Sequence, residues 1–116
     1  MIILKEKHDL NEMAIRPISV KADALPFRIA IKAPDHLPPH AHVVDLKKGV
    51  TDLYQFLLTN TPPKTVKDIK DYKGELPDDQ KQLICDWACK KSKLMPKFTN
   101  WEMLISQWMP NENEKW

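Results

Sequence analysis

At 116 residues the chain has the length of one domain with a modest core of its own. An apolar fraction of 42%, a charged fraction of 29% and a net charge of +2 are ordinary for a soluble globular protein. They give the molecule as a whole no electrostatic pull toward nucleic acid or membrane, and no apolar run approaches the ~18 residues of a transmembrane helix.

The opening stretch MIILKEKHDL is briefly apolar and then charged. It lacks the longer apolar run and small-residue cleavage site of a secretory signal. With only two cysteines in the chain, this fits a reducing cytosol, so a cytoplasmic location is expected. A weak strand signal then runs from Ala14 to Val20. PFRIAIK follows, with Phe27, Ile29 and Ile31 alternating against Arg28, Ala30 and Lys32, the period of a half-buried strand.

PDHLPPHAH, residues 34 to 42, holds three of the four histidines and three of the ten prolines. Its Pro-Pro pair cannot lie inside a helix or a central strand. HAHVVDL, residues 40 to 46, reads as the next strand. Lys47, Lys48 and Gly49 read as a turn, and VTDLYQFLL, residues 50 to 58, as the returning arm of a hairpin. After Pro62 and Pro63, KTVKDIKDYK is expected to form a short helix. Thr65 would cap it, with Lys64 to Asp68 and Lys67 to Asp71 as i,i+4 pairs.

The back of the chain reads helical. Pro77 suits a first helical position, Asp78 and Asp79 the first turn, and Lys90, Lys91 and Lys93 the last. Leu83, Ile84, Trp87, Ala88 and Leu94 would form the apolar stripe, and Pro96 the stop. A second helix carries a capping box, Thr99 with Glu102, and a hydrophobic staple, Phe98 with Met103. Trp101, Leu104, Ile105 and Trp108 share one of its faces, and Pro110 would end it. These elements predict an α+β fold, a small antiparallel sheet packed against two C-terminal helices. One domain would span residues 1–116. Its sheet would occupy about 14–58, a linker or short helix 59–76, and the helical part 77–109.

If residues 40 to 46 are extended, His40 and His42 project to the same side with Cα atoms ~6.5–7 Å apart. Two imidazoles at that spacing can converge on one metal ion, though such a site needs further ligands. Asp35 and His36, held just upstream by the prolines, could complete it, or Asp35 could orient a ring by accepting its N–H. The same four residues also suit acid–base work without a metal. One imidazole would take a 2′-hydroxyl proton, the other would protonate the leaving oxygen, and a lysine would stabilise the phosphorane. The plain structural alternative is a pair of strand-edge histidines bonding carbonyls beside a proline turn.

Cys85 and Cys89 are four apart on the first helix. They could supply two thiolates to a Cys₂His₂ zinc set, or act as small hydrophobes beside Trp87. Lys90, Lys91, Lys93 and Lys97 form a cleaner basic cluster than Lys64, Lys67, Lys70 and Lys73, which are interleaved with Asp68 and Asp71. They could hold nucleic-acid phosphates, or simply complement a helix dipole.

Asp35, Pro38, Pro39, His40, Ala41, His42 and Val43 resemble the hallmark of a family of small bacterial proteins, domain of unknown function 4160. That hallmark is an Asp-rich turn followed by Pro-Pro-His-aromatic-His-Val. Gly74, Leu76 and Pro77 resemble the family's step into a helix, and Trp87 that helix's tryptophan. The resemblance covers roughly residues 27 to 95. Ala41 departs from the usual aromatic residue, Lys91 stands near the place of a family histidine, and the stretch from Val43 to Gly74 is longer. Family members are commonly labelled toxin components of toxin–antitoxin pairs. The resemblance therefore implies a bacterial or phage protein with a small antitoxin-like protein partner. With the histidines it suggests action on RNA. Two other readings stand beside it: a non-enzymatic interaction module with a structural histidine loop, and a small metal-binding protein using His40 and His42 on a divalent ion.

Overall fold

The computed structural model describes residues 15–32, 35–45 and 51–108. Five strands, β1 (Ile15–Pro17), β2 (Arg28–Lys32), β3 (His40–Asp45), β4 (Thr51–Leu57) and β5 (Asp71–Gly74), form one antiparallel sheet in chain order. Two helices follow, α1 (Asp78–Ala88) and α2 (Asn100–Gln107). The predicted α+β architecture, an antiparallel sheet with two C-terminal helices, is the one observed. The expected turn at Lys47 to Gly49 and the stop at Pro110 lie outside the described residues.

Strand alternation sorts side chains onto two faces. Ile29 and Ile31, Ala41 and Val43, and Tyr54 and Phe56 join the core with the helices. Ile84 and Leu104 come in from the helices, both fully buried. Phe56 stacks on Trp101 at 5.9 Å between ring centroids, and the Trp101 indole donates to the Thr59 carbonyl at 2.8 Å. Each such large apolar side chain stabilises the fold by about 1.5–3 kcal/mol. His40, His42 and Gln55 alternate with these core residues and so take the opposite face.

Both helix starts follow from sequence. Thr99 accepts the Glu102 amide at 3.2 Å, and the Glu102 carboxylate accepts the Thr99 amide at 2.8 Å, closing the expected capping box. Pro77 sits one residue before α1, its carbonyl accepting from Gln80 and Lys81.

Three expectations are corrected. The stretch 64–73 is not an α-helix. Asp68 instead accepts the backbone amides of Lys64 and Thr65, holding a single 3-10 turn at Val66–Asp68, and the chain then enters β5. Local side-chain bonding has displaced the helix here.

Next, α1 ends at Ala88, before the lysines. Its last turn is tied off where the Trp87 carbonyl accepts from the Asn100 side chain at 2.8 Å and from the Lys90 amide at 3.1 Å. The Ser92 hydroxyl then accepts the amides of Leu94 and Met95 and turns the chain away. Lys90, Lys91 and Lys93 are therefore not in a helical last turn, and Pro96 does not stop the helix. Finally, Leu83 and Leu94 are exposed and stand outside the apolar stripe.

Asp23 pins α1 to the sheet side of the molecule. Its carboxylate accepts from the Val20 amide (2.8 Å), the Trp87 indole (3.0 Å) and Lys93 (3.1 Å). Burial raises its pKa, but these three donors outweigh burial and leave it below the ordinary value of 3.8. A depressed folded pKa means stability that is present above the unfolded value and is lost as pH falls through the folded one. Asp23→Asn should therefore cost about 1–3 kcal/mol in urea unfolding at pH 7. The gap between variant and parent should close as pH is lowered through and below 3.8.

Candidate functional site

The site begins with β3. Because its backbone is extended, His40 and His42 project side by side, ring centroids 5.0 Å apart and both buried. The loop before β3 turns through a cis Leu37–Pro38 bond and brings Asp35 back over the two rings. One carboxylate oxygen, Asp35 Oδ2, lies 3.1 Å from His40 Nε2 and 3.1 Å from His42 Nε2. The other, Oδ1, accepts the His36 amide at 2.8 Å and lies 3.6 Å from His36 Nε2.

The far side of each buried ring is also held. His40 Nδ1 is 2.7 Å from the Pro38 carbonyl. A carbonyl only accepts, so Nδ1 carries the proton and donates it. His40 Nε2 is then buried without a hydrogen bond, its contact with Asp35 lying off hydrogen-bond geometry. His42 Nδ1 faces both oxygens of Asp52, at 3.2 and 3.3 Å. Asp52 in turn accepts from Gln55 at 3.2 Å and lies 3.9 Å from Lys32 Nζ.

The charges follow from these contacts. Burial would raise the Asp35 pKa, but the imidazoles of His40 and His42 and the His36 amide hold it far below the usual carboxylate range. Burial would lower the His42 pKa, but Asp35 and Asp52 outweigh it and raise it. The His42 bond holds Asp52 low against its own partial burial.

The four expected site residues, Asp35, His36, His40 and His42, come together, and His36 alone is exposed. Among the described residues, Asp35, His36 and His40 form a group whose ligand atoms all lie within 4.8 Å of one another, so it could hold a metal ion. The expected metal pair was His40 with His42. His42 is not in this group of three, though its Nε2 lies 3.1 Å from Asp35 and its ring packs on that of His40. Cys85 is buried and Cys89 exposed, both are free, and neither joins the histidines. Burial raises the Cys85 thiol to about 11, as expected of a small core hydrophobe.

A cleft of about 510 Å³ opens over the group, lined by Lys32, Asp35, His36, His40, His42, Asp52, Gln55, Tyr72 and Lys73. Lys90, Lys91, Lys93 and Lys97 do not line it. Lys93 instead pairs with Asp23, and Lys97 lies over the Phe98 ring. The cations at the histidines are Lys32 and Lys73.

Asp52 and Tyr72 were missed by sequence reasoning, for a shared physical reason. Val43 pairs with Tyr54 but Val44 with Asp52, so Leu53 is an extra, unpaired residue. That bulge breaks the alternation and puts Asp52 on the histidine face, although Tyr54 faces the core. Likewise Gln55 pairs with Lys73 but Phe56 with Asp71, making Tyr72 the extra residue. Tyr72 and Lys73 then both reach the cleft. The Tyr72 ring packs 4.6 Å from that of His40, and its hydroxyl is 3.5 Å from His36 Nδ1.

Comparison with family models, with curated proteins and with solved structures finds no match to this chain.

The His40 assignment has a direct check. Long-range ¹H–¹⁵N spectra should show Nδ1 as the protonated nitrogen, with a proton that exchanges slowly with solvent. A ring protonated only at Nε2 would remove the bond to Pro38.

Proposed function

We propose that the cleft is a divalent transition-metal centre, held by Asp35, His36 and His40 and suited to activating a bound water. The observation that carries this reading is the state of His40. Its Nδ1–H is spent on a backbone carbonyl, and its Nε2 is buried, without a hydrogen bond, 3.1 Å from a carboxylate oxygen. A positive charge between that nitrogen and the carboxylate satisfies both, whether a ring proton or a metal ion in its place. Metal-bound histidines typically donate their other ring N–H to a carbonyl or carboxylate, as His40 does. An ion held at about 2.0–2.2 Å with ligands about 90° to 109° apart sets neighbouring ligand atoms about 2.8–3.6 Å apart, and 3.1 Å falls in that range.

Two imidazoles and one carboxylate favour zinc, iron or manganese over the all-oxygen cages of calcium. Three protein ligands leave a position open for water or substrate. Such an ion lowers the pKa of bound water and polarises a carbonyl or phosphoryl oxygen. His42, engaged by Asp52 at Nδ1 and by Asp35 at Nε2, stands beside the group and fixes the Asp35 carboxylate. Metal-free acid–base catalysis is supported less well. It needs two imidazole nitrogens facing substrate, and the ring of His40 is buried with Nδ1 already engaged.

Titration of chelator-stripped protein with zinc or manganese in a calorimeter should give one site per chain. His40→Ala and Asp35→Ala should each weaken it by about 100-fold or more. At a hundredfold excess over Kd, binding should stabilise the fold by about 2.7 kcal/mol, read as a rise in Tm. No binding heat and no rise in Tm with either metal would remove this reading.

A further inference from the structure

The cleft is polar and charged around its histidine floor. Among the described residues its lining comprises three histidines, two aspartates, two lysines, one glutamine and one tyrosine, with no aliphatic side chain. Such a surface gives an apolar substrate little to bury against. The two lysines arrive from opposite flanks. Lys32 comes from β2 and Lys73 from β5, with β3 and β4 between them. Three strand spacings place their backbones about 14 Å apart, close enough for both side chains to lean over the cleft. Lys32 is partly balanced by Asp52 at 3.9 Å. Lys73 has no ion-pair partner among the described residues. With a divalent ion in place, two lysines and the ion outweigh Asp35 and Asp52, so the cleft has a positive surplus.

We infer that the cleft takes a phosphate ester, its oxygens shared between the metal ion and the flanking lysines Lys32 and Lys73. This inference rests on the metal reading above. A carboxylate substrate has only two oxygens to divide among the ion and two lysines. A tetrahedral phosphoryl group has further non-bridging oxygens for them, and an ion working with flanking cations is a recurring clamp for charge on such a group.

The reaction that fits is hydrolysis. The oxygen of a water would form a bond to phosphorus and lose one proton to solvent. The bond from phosphorus to the leaving oxygen would break, that oxygen departing with the electron pair. It would take up a proton from solvent, giving an alcohol and a phosphate with one ester bond fewer. No oxidant, reductant or further reactant is consumed.

Zinc- and manganese-loaded full-length chain would be assayed on bis(4-nitrophenyl) phosphate, 4-nitrophenyl phosphate and 4-nitrophenyl acetate. Turnover of the diester or the monoester is expected, identifying which class of phosphate ester is preferred. Inorganic phosphate should compete with it, and the acetate should not be preferred. Lys73→Ala should raise KM about 2- to 5-fold while zinc affinity is unchanged. Lys90→Ala with Lys91→Ala, outside the cleft, should leave KM where it was.

Zinc binding with no turnover of either phosphate ester and no competition by phosphate would overturn the substrate assignment and leave the metal centre standing. Unchanged KM in Lys73→Ala and Lys32→Ala would overturn the role of the lysines. Failure of zinc and manganese to bind at all would remove the metal reading, and this inference with it.

Discussion

A carboxylate is placed where little water can reach it, and the rest of the site answers that fact. The Asp35 side chain is only 9% exposed. A buried anion without close partners is strongly destabilising. Its partners here are two nitrogens from alternate positions of one strand and the amide of the next residue. The strand has to stay extended for both imidazoles to reach the same oxygen. The loop has to fold back for the carboxylate to arrive at all.

What keeps β3 extended lies on the other side of the sheet. Ala41 and Val43 are fully buried, and beyond them the Phe56–Trp101 stack ties the sheet to α2. The apolar layer and the polar layer are thus two faces of the same strands. Packing on one face sets the spacing of nitrogens on the other. A change at Ala41 would be felt in the core first and at the histidines second.

Much of this was readable in the chain. Alternation located β2 and the β3–β4 hairpin. The capping box marked the start of α2, and the His-x-His spacing put both rings on one face. The unreadable parts share a cause, which is a local hydrogen bond or an inserted residue overriding periodicity. Asp68 bonding two amides turned an expected helix into a 3-10 turn and a strand. The Ser92 hydroxyl and the Asn100 side chain ended α1 early and removed Lys90, Lys91 and Lys93 from it. The unpaired Leu53 and Tyr72 moved Asp52 and Tyr72 onto a face that strict alternation denies them. None of these leaves a periodic trace. They were also the events that assembled the outer half of the cleft, so the inner half was foreseen and the outer half was not.

The strand that supplies Tyr72 and Lys73 is four residues long and, among the described strands, lies at the border of the sheet with β4 on one side only. Short border strands open with less free energy than central ones. One wall of the cleft can therefore come away while Asp35, His40 and His42, seated on the middle of the sheet, keep their arrangement. Hydrogen exchange would divide this pocket into a durable floor and a transient rim, and entry and exit of a bound molecule would follow the breathing of the rim.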